Sequence, residues 1–209
     1  AESLGQQLVA WDRQPYTLLL YGGALTQQMK YDDAMAVYQD VIKQSPNNPV
    51  ALYDMGVLRE QKGETDHAIE LYRAALLLRP NFAAALEKLG YLLSNKGDAD
   101  GAIQSLSRAA EINPFNVTTW NNLGLALFRR GRPEPAITAC ENAVKLNSNM
   151  PEVHANFGLV LAGAGRANDA VAHYREALRL RPGWNEVRTA LDDLLKRQGK
   201  AVETGDPVR

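Results

Sequence analysis

The chain has 209 residues, is 45% apolar and 22% charged, and carries 23 basic against 24 acidic side chains, a net charge of −1. That balance gives no electrostatic reason to expect nucleic acid, and no apolar run approaches the roughly 18 residues that cross a bilayer; the run Ala74–Leu78, for instance, stops at Arg79. Cys140 is the only cysteine, which excludes an intrachain disulfide and a thiolate metal cluster.

At the start of the chain Leu4, Leu8 and Trp11 fall on one helical face, so residues 1–14 are expected to form an N-terminal helix, a cap or the remnant of a truncated repeat. The first residue is Ala1 rather than Met, so the expectation is that something was removed upstream. A cleaved signal peptide would make the chain periplasmic or otherwise extracytoplasmic, and the compartment, cytoplasmic or not, stays open.

From Pro15 onward one period governs the sequence. Gly22, Gly56, Gly90, Gly124 and Gly158 are spaced 34 residues apart, and Ala34, Ala68, Ala102, Ala136 and Ala170 keep the same step. A period of this length marks stacked supersecondary units, which form one continuous body. The repeats run 15–48, 49–82, 83–116, 117–150 and 151–184. In each, apolar residues at repeat positions 4, 7 and 11 form one helical stripe and positions 20, 24 and 27 a second; in the third these are Leu86, Leu89 and Leu93, then Ala102, Leu106 and Ala109. Gly63, Gly97, Gly131 or Gly165 fits the turn between the two helices, and Pro46, Pro80, Pro114 and Pro182 stop the second helix. Glycine inside a helix costs about 1 kcal/mol against alanine, so five in register predict that another backbone passes close by, with the matching alanine on the partner helix.

After the repeats, Val187, Leu191, Leu194 and Leu195 make an inward stripe with charged residues opposite, which predicts a capping helix over 185–198, followed by a flexible tail over 199–209.

The repeat pattern resembles that of the tetratricopeptide repeat (TPR) family, whose positions 4, 7, 8, 11, 20, 24, 27 and 32 read bulky, apolar, small, bulky, small, aromatic, small and proline. Trp120-Asn-Asn-Leu-Gly124 opens the fourth repeat in this manner, and the fifth runs from Ala170 through Tyr174 and Ala177 to Pro182. The resemblance covers Pro15 to Trp184. It implies an all-α, right-handed superhelical solenoid of five helix-turn-helix repeats with a C-terminal capping helix. His154 at position 4, Arg59 at 11, Cys140 at 24 and Ser148 at 32 depart from the pattern, and with Pro133 and Pro135 they predict a softer junction between the fourth and fifth repeats.

In proteins of this kind the first helices line a concave groove, with positions 2, 5, 6, 9, 12 and 13 facing it. The resemblance thus implies a partner-binding groove formed by Tyr16, Tyr53, Asp54, Glu87, Lys88, Tyr91, Asn95, Asn121, Asn122, Leu125, Phe128, Arg129 and Asn156, with Leu19, Val57 and Leu159 beside them. Amides can bond to an extended peptide backbone while aromatic rings supply contact area at small entropic cost. A carboxylate clamp of chaperone-binding relatives is absent, since position 2 reads Tyr16, Val50, Ala84, Thr118 and Glu152; an asparagine ladder at position 6 survives only as Asn122 and Asn156.

For chemistry the sequence offers little. His67, His154 and His173 are expected to sit in different repeats, without a metal-binding spacing on one face. His154 and Cys140 occupy packing positions, and there is no Gly-rich phosphate loop or nucleophile motif. The expectation is a non-catalytic scaffold without cofactor or metal, whose partner is a protein or peptide rather than nucleic acid, within a larger assembly or alone. The alternatives are an accessory domain of a larger enzyme or membrane protein, and a self-assembling module.

Overall fold

A computed structural model describes residues 14–199. The expected helix at 1–14, with Leu4, Leu8 and Trp11, and the tail beyond Gly199 lie outside them. Among the described residues there are eleven α-helices and no strand. They are α1 (Pro15–Gln27), α2 (Tyr31–Gln44), α3 (Pro49–Gln61), α4 (Thr65–Leu78), α5 (Ala83–Asn95), α6 (Ala99–Ile112), α7 (Val117–Arg129), α8 (Pro133–Leu146), α9 (Pro151–Gly163), α10 (Ala167–Leu180) and α11 (Asn185–Arg197). Successive pairs from α1 and α2 to α9 and α10 are the five repeats, and α11 is the final helix.

Local chemistry sets these boundaries. Pro15, Pro49, Pro133 and Pro151 occupy the first turn of α1, α3, α8 and α9, where a missing N–H costs nothing. Asn48 caps α3 by accepting from the backbone N–H groups of Val50 and Ala51, and Asn116 caps α7 by accepting from that of Thr119. Between the helices of a repeat, Gly63, Gly97, Gly131 and Gly165 have φ between 75° and 86°. The first repeat places Met29 in that position, at φ 60°. Every second helix stops at the same repeat position, including α8, although Ser148 stands where the other repeats have proline. There the Asn147 side chain accepts from the Asn149 N–H at 2.9 Å, the same local turn that Asn113 makes with the Phe115 N–H across Pro114.

The glycine ladder has a different cause from the expected backbone approach. A Cβ on Gly22 would lie 2.5 Å from the Tyr38 ring, one on Gly56 2.7 Å from Tyr72, and one on Gly158 2.7 Å from Tyr174. The glycine at position 8 makes room for the side chain at position 24, sixteen residues on. In the fourth repeat Cys140 replaces the ring, and its Sγ would sit 2.5 Å from the added atom, with the Ala136 carbonyl at 3.3 Å. Tyr38 and Tyr72 are fully buried and rank among the largest core side chains. Burial pushes the Tyr38 hydroxyl up to about 12 and the Cys140 thiol likewise to about 12, as an inert packing cysteine requires.

The contacts group the chain into two compact units, one running to Leu93 and the other from Ser94. In the first, Leu25, Ala34, Met35, Tyr38 and Leu58 form one core cluster and Leu18, Val41 and Ala51 another. In the second, α7 packs on α8, α9 on α10, and α11 on α10, burying Val187, Leu191 and Leu195.

Candidate protein-interaction surface

In the first unit α1, α3 and α5 present the candidate face. Tyr16 is 71% exposed and Leu20, one turn on, is 60% exposed. Leu20, missed in the sequence, occupies position 6, where an apolar residue exposed to water is the available signal. Leu19 instead packs against the core. Tyr53 is half-buried, its ring 5.7 Å from that of Tyr72 and 4.9 Å from that of Phe82. The Tyr72 hydroxyl donates to Glu60 at 2.8 Å, and the Lys88 ammonium donates to the same carboxylate at 3.1 Å. Lys88 therefore ties α5 to α3. Burial, then the charges of Asp54, Glu87 and Glu60, hold the Tyr53 hydroxyl above its ordinary value. Asp54 makes no hydrogen bond or ion pair among the described residues, and burial pushes its carboxyl up to about 6. Tyr91 is 42% exposed.

In the second unit the candidate residues sort into two groups. The Asn156 amide donates to the Asn121 carbonyl oxygen at 3.1 Å, joining α9 to α7, and Asn121 is buried. Asn121 is thus placed within the packing between repeats and not on the open face. The Arg129 guanidinium donates to the Ser94 carbonyl at 3.1 Å and hydroxyl at 2.7 Å. The Phe128 ring fills the space that a Cβ on Gly163 would need. All three pairs are 35 residues apart, one more than the period, so these side chains hold neighbouring first helices to each other. Asn122 and Leu125 stay half-open, and Asn95 and Leu159 are exposed.

A second set of ties lies elsewhere. The N–H donors of Trp120, His154 and Arg188, all at position 4, bond the carbonyls of Pro114, Ser148 and Pro182, six residues earlier. Lys62 pairs with Asp32, and Arg130 with Asp100, each across 30 residues. The histidines are not all apart: His154 and His173 belong to one repeat and their Nδ1 atoms are 2.9 Å from each other. No group of three metal-ligating side chains occurs among the described residues, and no helix there is long and apolar enough to cross a membrane.

The model of the C-terminal TPR domain of cilia and flagella-associated protein 70 matches residues 5–208, and the chain belongs to that tetratricopeptide-repeat family. No curated protein was found to match it. Among solved structures it is similar to YrrB, described as a TPR protein with an unusual peptide-binding site, at 17% identity and TM-score 0.77, covering 91% of this chain and 98% of that one. It is similar to PilF of Pseudomonas aeruginosa at 21% identity and TM-score 0.77, covering 88% and 84%. MamA of Desulfovibrio magneticus RS-1 aligns at 20% identity and TM-score 0.73, covering 81% and 96%. These likenesses establish the shared fold.

Proposed function

We propose that this chain is a protein-interaction scaffold that holds an extended peptide or a partner helix against the exposed faces of its first helices. The observation that carries the reading is the division of those faces. Lys88, Asn121, Arg129 and Asn156 are committed to bonds inside the protein. Tyr16, Leu20 and Tyr91 in the first unit and Leu159 in the second leave large apolar area in water at repeat positions that face outward. The first unit adds the unpaired carboxylate of Asp54, and the second the uncommitted amide of Asn122. Isolated apolar residues on a surface are ordinary; their recurrence on first helices that also carry such polar groups supports recognition of a chain that supplies both apolar side chains and backbone groups. YrrB's described peptide-binding site agrees with this class of partner.

The test is selection of binding peptides from a displayed library, followed by affinity measurement on variants. Tyr16→Ala and Tyr91→Ala, both in the first unit, should each weaken binding by roughly tenfold, about 1.4 kcal/mol. Thr138→Ala, on a second helix, should leave it unchanged. Equal affinity across all three would reject the reading.

A further inference from the structure

Within the fifth repeat, α9 and α10 bring two imidazoles together at a place that the scaffold reading does not use. His154 is 5% exposed, and its Nε2 lies 3.0 Å from the Ser148 carbonyl oxygen. A carbonyl only accepts, so that nitrogen carries the hydrogen and Nδ1 of a neutral His154 offers a lone pair. His173 Nδ1, 2.9 Å away, must then donate to it. The rings are stacked with centroids 5.2 Å apart, and Phe157 lies 4.3 Å from the His173 ring. The chain of bonds His173 to His154 to Ser148 fastens α10, α9 and the turn that joins α8 to α9.

We propose that this pair is a proton-sensitive clasp, closed when both rings are neutral and opened by acid. A first proton can enter at His173 Nε2, leaving the Nδ1–H bond in place. A second has only His154 Nδ1 to occupy, where it would set two N–H groups against each other at 2.9 Å. The closed pair thus holds at most one extra proton and the opened pair holds two. The charged groups acting on His173 are His154 from α9 and Asp169 and Glu176 from its own helix; these carboxylates already bond Arg166 and Arg179. Burial, then the proximity of His154, holds His173 below its ordinary value despite both carboxylates. Because the opened state binds more protons below about pH 6.5, the clasp is stable above that value and weakens as pH falls through it. A one-proton difference multiplies the opening equilibrium by up to about tenfold per pH unit.

Amide hydrogen exchange on the whole chain between pH 7.5 and 5, corrected for intrinsic rates, tests this. Segment 147–180 should open more at the lower pH by severalfold, with 49–78 unaffected. His154→Leu, which installs the residue that Leu18, Leu52 and Leu86 supply in other repeats, should abolish that pH dependence, and His173→Gln should do the same. His67→Gln should leave it intact. Imidazole titration by NMR gives an independent reading: His173 should titrate below its ordinary value in the native chain and move back toward it in His154→Leu. Undiminished acid opening in both variants, or a His173 titration that is the same with and without His154, would overturn the proposal.

Discussion

Gly22 and Gly23 are adjacent in α1, yet an added methyl meets opposite surroundings at the two. On Gly22 it would strike the buried Tyr38 ring, while on Gly23 it would find nothing within 4 Å. Gly22→Ala should destabilise the fold by about 1–3 kcal/mol through overpacking, and Gly23→Ala should stabilise it by about 0.5–1 kcal/mol through helix propensity. Chemical denaturation of the two variants checks both signs. Met29, with φ 60° and 75% exposed, has strain without packing in return, so Met29→Gly should raise stability by up to about 1 kcal/mol. Asp54 adds a pH-dependent term. Its folded carboxyl titrates at about 6 against 3.8 unfolded, so the folded state binds more protons between those values and its stability falls as pH rises through them. Relative to the native chain, Asp54→Asn should gain on the order of 1 kcal/mol above pH 6, after allowance for solvent screening. Below about pH 4 the gain should vanish. A gain that is the same at both pH values would contradict this cause.

At the scale of elements, helix number, pairing and ends are legible in the sequence because each follows from chain-local chemistry: apolar steps of three and four, glycine in the left-handed turn, proline beyond the second helix. The cause of the glycine ladder is less so. The sequence pattern matches position 8 with the alanine at position 20, whereas the tyrosine at 24 fills the space, because the angle between two packed helices decides which neighbour a residue meets. The offsets of 35 residues for Asn121 with Asn156 and of 30 for Asp32 with Lys62 belong to other helix pairs, and no 34-residue period announces them. His154 illustrates the limit: a departure from the repeat pattern, it nonetheless shares its bond to the preceding turn with Trp120 and Arg188. The junction there is tied by a side chain, and proline can be restored without loss of that carbonyl. Ser148→Pro follows an extended Asn147, ψ 103°, and should stabilise by about 0.5–1 kcal/mol by restricting the unfolded chain. Thermal unfolding would show it as a raised midpoint.

For the whole molecule, the family and the all-helical architecture follow from the repeat, while the candidate surface needs the structure. Sequence position alone does not separate a polar residue turned to water from one bonded to a neighbouring repeat, and Lys88, Asn121, Arg129 and Asn156 are of the second kind. What stays open on the first helices is more apolar than the set expected from the repeat positions. The most direct measurement is photo-crosslinking of a selected peptide from single reactive side chains placed at Tyr16, Leu20 and Tyr91 on first helices of the first unit and at Gln104 and Thr138, exposed on second helices. The account predicts adducts from the first three and none from the other two; adducts confined to Gln104 and Thr138 would contradict it.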